Sequence, residues 1–128
     1  MKIALLNDTH FGCRNDSPAF INYQNRFYDE QFFPYLIENK IDTLIHLGDV
    51  VDRRKFINFN TAHNFQQKFW KRLWDLKIDT HIILGNHDTY YKNTNKVNSI
   101  QQLCTSFDGI NEPWIYDGPK EVELGGCR

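Results

Sequence analysis

The chain has no apolar run approaching the ~20 residues of a membrane span. Its N-terminal apolar stretch stops at Asn7-Asp8, too short for a signal-peptide core. Cysteine is scarce: Cys13, Cys104 and Cys127 form an odd set without paired spacing, which argues against a disulfide framework and for reduced thiols. These absences lead us to expect a soluble, cytoplasmic protein that does not engage a membrane. A charge excess is missing too. The formal net charge of −1 lacks the basic surplus often seen in nucleic-acid binders, so bulk charge neither supports nor excludes DNA as a substrate. No internal repeat, low-complexity segment or linker is visible.

What is present is a globular composition, 41% hydrophobic and 15% aromatic over 128 residues. That is one domain at most, able to bury roughly two thirds of its unfolded surface. Short apolar runs bounded by loop residues predict strands over 2–6, 42–47 and 80–84. Ser17-Pro18 is an N-cap followed by proline at the first helical position, and predicts a helix between the first two strands. Pro34 should kink or split that helix, because it lacks an amide donor. A second amphipathic helix is expected over 61–77, with Phe65, Phe69, Leu73 and Leu76 as its stripe, widened by Trp70 and Trp74. Its breadth also suits a homodimer contact. The alternation implies a βαβαβ parallel core, an α/β fold with right-handed crossovers. A short helix over 96–105 and edge strands over 114–117 and 120–124 complete the reading. Gly125-Gly126 signals a hairpin turn with no return strand, as expected of a chain cut short.

Three polar motifs each follow one of the expected strands: Asp8-Thr9-His10-Phe11-Gly12, Gly48-Asp49-Val50-Val51-Asp52 and Gly85-Asn86-His87-Asp88. In open α/β sheets the crevice at the carboxyl ends of parallel strands is where sites are built. Asp8 and His10, spaced i, i+2, would project to one side of an extended segment and bind one metal ion together. Gly12 lets the loop turn away. Asp49 would sit at the rim of the sheet, where a carboxylate bridges two cations. Asn86 offers a neutral amide oxygen to a second ion, His87 a proton for a departing oxygen, and Asp88 a carboxylate to orient that imidazole. Taken singly, each motif also reads as a turn, since Gly, Asn and Asp are turn formers. Asp52 is equally a loop-holding or a solvated residue. Arg53-Arg54-Lys55 lies where a phosphate would dock, and Tyr90-Tyr91-Lys92 could stack bases, although a solvated charge run and loop packing explain them as well. His46 reads as a packed or hydrogen-bonded strand residue.

The order and spelling of these motifs resemble the calcineurin-like metallophosphoesterase superfamily. Within it they look most like the SbcD-type DNA double-strand-break nucleases, including the recombination nuclease subunit of T-even-like phages. The resemblance covers most of residues 1–93. It implies the N-terminal half of an α/β/β/α sandwich and hydrolysis of DNA phosphodiesters with two divalent metal ions, Mn²⁺ foremost, with Mg²⁺, Fe²⁺ or Zn²⁺ as substitutes. By the same resemblance Asp8 and His10 bind the first ion, Asp49 bridges, Asn86 binds the second, and His87 assists at the scissile phosphate. DNA and an SbcC-like ABC-type ATPase are the implied partners. One departure stands out: the family completes its site with later histidines, and this sequence has none after His87. Weak metal binding is therefore expected. Two alternatives stay open: another metallophosphoesterase, such as a protein phosphatase or small phosphodiesterase, or an inactive fragment keeping the fold only.

Overall fold

The computed structural model describes residues 2–51, 59–83, 89–91, 94–98, 114–116 and 121–125. Three strands form where the apolar runs lie: β1 (Ile3–Leu6), β2 (Thr43–His46) and β3 (Asp79–Ile83). They pair in parallel in the order β1-β2-β3, with Leu6 opposite His46 and His46 opposite Ile82. The expected edge strand near 114–117 is present as β6 (Trp114–Tyr116), parallel to β3. Each parallel pair needs a crossover, and helices supply the first two.

The first crossover runs through α1 (Cys13–Asp16), α2 (Pro18–Phe27), a π-helical turn over Tyr28–Phe32, and α3 (Phe33–Glu38). Pro34 splits the helical register without breaking the rod. Proline has no N–H to close the α ladder, and the chain enters it through a wide turn in which the Phe33 N–H donates to the Tyr28 carbonyl. The second crossover comprises α4 (Phe59–Phe65), another π-helical turn over Gln66–Trp70, and α5 (Lys71–Asp75). The two crossovers meet through their π-helical turns: Tyr28 and Phe69 lie 5.3 Å apart between ring centroids. Arg72 reaches across to pair with Asp29 and covers the Phe33 ring at 4.3 Å.

Phe65, Phe69, Trp70 and Leu73 are all buried in the chain's own core with Phe33, Leu36, Leu44 and Ile82. Most of the apolar stripe of the second helix is thus spent on the chain's own core, while Trp74 is half-buried. Leu76, read as the end of that stripe, lies past the last helical turn and is 39% exposed. The helices cover one face of the sheet, while Ile3, Leu5, Ile83 and Trp114 leave the opposite face apolar and open. One helix-covered face and one that carries exposed apolar residues are what half of an α/β/β/α sandwich presents.

Two expectations fail. Residues 96–98 are not helical but belong to β5 (Thr94–Asn98), antiparallel to β4 (Thr89–Tyr91). Thr94 and Val97 are β-branched and suit a pleated ribbon better than a helix. The rest of the expected 96–105 helix lies outside the described residues. Residues 121–124, the described part of the 120–124 segment, form no strand beyond a single bridge position at Leu124. Gly125, with φ 56, takes the left-handed conformation expected of a turn glycine.

Candidate metal centre

The two ligand loops leave β1 and β2 side by side and stay zipped by backbone hydrogen bonds. Leu47 N–H donates to Leu6 O (2.8 Å), Asp8 N–H to Gly48 O (3.2 Å), His10 N–H to Asp49 O (3.0 Å) and Phe11 N–H to Val50 O (2.8 Å). An isolated parallel bridge between Phe11 and Val51 closes the zipper. Parallel pairing thus continues past the strand ends, through backbone that is no longer extended.

Asp8 (φ 53), His10 (φ 45) and Asp49 (φ 52) all adopt the left-handed conformation, and so does Gly48 (φ 115). For a non-glycine residue this costs about 1 kcal/mol or more, and such strain concentrates at functional sites. It also revises the reason for the Asp8–His10 pairing. The i, i+2 spacing does bring the two together, but through two left-handed kinks rather than the alternation of an extended segment. Gly12 (φ 91) then turns the chain into α1. A Cβ there would stand 2.7 Å from the Asp16 carboxylate and 3.1 Å from Thr61, which are themselves hydrogen-bonded.

Asp8, His10 and Asp49 each present one ligand atom, all within 4.8 Å of one another. His10 Nε2 lies 3.3 Å from Asp8 Oδ1. Donors ~2.1 Å from a shared ion lie at most roughly 4.2 Å apart, so small side-chain rotations suffice to close the set. Two carboxylate oxygens and an imidazole nitrogen suit Mn²⁺, Fe²⁺ or Zn²⁺. The donor set fits a divalent ion. Asp8 is exposed and the other two are half-buried, so the ion would be reachable by a substrate.

Beneath the ligands, Thr9 and Phe11 alternate with them and point inward. Phe11 is 2% exposed and its ring lies 5.0 Å from Phe65, 5.3 Å from Phe69 and 5.8 Å from Tyr28. It anchors the first loop in the aromatic core. Thr9 Oγ1 donates to Val50 O (2.9 Å) and sits 3.0 Å from His46 Nε2. Its single proton is committed to the carbonyl, so His46 Nε2–H must donate to Thr9. The Gly48 N–H donates to His46 Nδ1 at 3.2 Å. His46 is therefore the neutral Nε2–H tautomer. Burial holds its pKa down to about 4, the nearby Asp49 carboxylate raising it and His10 lowering it further. This bears out His46 as a hydrogen-bonded strand residue.

Sequence reasoning missed Thr9 and Phe11 as parts of the site. Their signal was the polar–apolar alternation of Asp8-Thr9-His10-Phe11, read only for its polar half. Gln24, whose side chain donates to the Thr9 carbonyl (2.8 Å), gave no sequence signal. Of the remaining candidates, Asp52, Arg53, Arg54, Asn86, His87 and Asp88 lie outside the described residues, and Tyr91 falls at the end of β4. No helix among the described residues is long and apolar enough to cross a membrane.

Comparison with known proteins agrees with this geometry. The chain is 34% identical over 127 residues to exonuclease subunit 1 of Enterobacteria phage T4. That alignment takes in 99% of this chain but 36% of the phage protein, so the chain spans about a third of its relative's length. Residues 1–125 match the calcineurin-like phosphoesterase family, whose members use divalent metal ions. Strand order, ligand loops and this match together make the chain a member of the calcineurin-like phosphoesterase family.

Proposed function

We propose that the chain is the N-terminal part of a metal-dependent DNA nuclease of the SbcD type, with residues 1–128 belonging to one phosphoesterase domain. The observation that carries this reading is the convergence of Asp8, His10 and Asp49 at the carboxyl ends of β1 and β2. The relative's printed name, an exonuclease subunit, supports DNA as the substrate and a second subunit as partner, for which an SbcC-like ATPase is the natural candidate. Asp8 and His10 would hold the first ion, Asp49 would be shared, and Asn86 would serve the second. His87 donates a proton to the leaving oxygen, with Asp88 orienting its imidazole. Arg53, Arg54 and Tyr91 contact the DNA strand. Divalent ions, Mn²⁺ foremost, supply Lewis-acid polarisation of the phosphoryl group. With three protein donors to the first ion, affinity is modest.

Calorimetric titration with Mn²⁺, followed by assays on linear duplex DNA and p-nitrophenyl phosphate, tests the proposal. We expect weak but measurable Mn²⁺ uptake and Mn²⁺-dependent release of nucleotides. Hydrolysis of the small ester without DNA cleavage would reassign the chain to a small-phosphodiesterase role. A flat titration would leave only the inactive fragment.

A further inference from the structure

We propose that Thr9 and His46 form a positioning pair that sets the metal affinity of the centre by locking its two ligand loops to each other. The inference rests on reading Asp8, His10 and Asp49 as metal ligands. Thr9 sits between two of those ligands in sequence, and its hydroxyl links the first loop to the second: it donates to Val50 O, next to Asp49, and accepts from His46 Nε2–H. The other face of the imidazole accepts from Gly48 N–H, on the opposite flank of Asp49. Both neighbours of Asp49 are thus tied to the residue between Asp8 and His10. Thr9 is fixed a third time, from behind, by Gln24 on α2.

The burial of this pair makes the links matter. Thr9 is 7% and His46 1% exposed, so water cannot substitute for a lost partner. The ligands they flank are held in left-handed conformations that the backbone would otherwise leave. Groups that orient metal ligands from behind typically change affinity 10- to 100-fold when removed. Neither residue touches the metal or the substrate; the pair acts through the ligands.

The test is the Mn²⁺ dissociation constant of the full chain by calorimetry, with the thermal midpoint in EDTA measured separately. Thr9→Val keeps the shape and removes the hydroxyl; we expect Mn²⁺ affinity to fall at least about tenfold at a temperature where the variant is fully folded. Thr9→Ser restores the hydroxyl and should bind within about threefold of wild type. A merely structural role would lower the EDTA midpoint without changing the dissociation constant of the folded protein. Thr9→Val binding like wild type, or Val and Ser variants weakening equally, overturns the inference. Should Thr9→Val not fold, His46→Gln, which keeps a donor toward Thr9 and loses the Gly48 bond, should bind several-fold more weakly; wild-type affinity there overturns it. A flat titration of the wild-type chain overturns the metal-centre reading, and this inference with it.

Discussion

The ligand loops and the aromatic core beneath them are adjacent, yet they obey opposite rules. In the core, Phe11, Tyr28, Phe33, Phe65 and Phe69 pack ring on ring where the two helical crossovers meet, and nearly every atom gains by being there. A few ångströms above, three non-glycine residues hold left-handed backbone, and two carboxylates crowd one imidazole. Such an arrangement does not stabilise a fold. It persists because Phe11 is rooted in the core and Thr9 is bonded across to the second loop. Stability is generated in one layer and spent on ligand geometry in the other.

The sharpest way to break this contrast is to cut the root. Phe11→Ala removes a fully buried ring and should cost about 3–5 kcal/mol of stability. Urea unfolding with an unchanged slope would read it directly. A loss under 1 kcal/mol would mean that the loop does not depend on the core.

Acid should come next. The folded pKa of His46 lies near 4, below the 6.5 of an unfolded histidine. Between those values the unfolded chain takes up a proton that the folded one refuses. The contribution of this histidine is thus fully present above pH 6.5 and is lost as pH falls toward 4, a span of about 3 kcal/mol. Urea midpoints at pH 7 and pH 4.5 should diverge more in the wild type than in His46→Gln. Equal divergence would show that His46 is not the group responsible.

The smallest effect has the opposite sign. Asp49→Asn keeps the volume and tolerates left-handed backbone, but removes one of two carboxylates converging on the site. Without metal, the variant should be more stable by about 1 kcal/mol while losing Mn²⁺ affinity. A destabilised variant would mean that Asp49 serves the fold rather than the ion.

Much of this layering was legible in the sequence, for reasons that can be named. Short apolar runs ending at Leu6, Leu47 and Leu84 located the strands, because the strands of a parallel sheet read as near-continuous apolar runs rather than alternating ones. Ser17-Pro18 fixed a helix start. Pro34 announced an irregularity, though not that a π-helical turn would absorb it. Asp8, His10 and Asp49 were identifiable as a group because each follows a strand, but their left-handed backbone was not, since nothing in the spelling of Asp-Thr-His distinguishes a kinked loop from an extended one. The network of Thr9, His46 and Gln24 joins residues 15 to 37 positions apart and exists only after the sheet has formed. Residues 96–98 misled because a local helical reading cannot see their antiparallel pairing with β4.

The account stands on one ion being shared by the two loops. Titrating ¹⁵N-labelled protein with substoichiometric Mn²⁺ and following paramagnetic broadening tests this most directly. The amides of residues 8–10 and 48–50 should vanish first and together, with Asp42 and Lys77, which precede β2 and β3 at the opposite end of the sheet, affected last. Broadening that begins at Asp42 and Lys77, or that strikes one loop and spares the other, would contradict it.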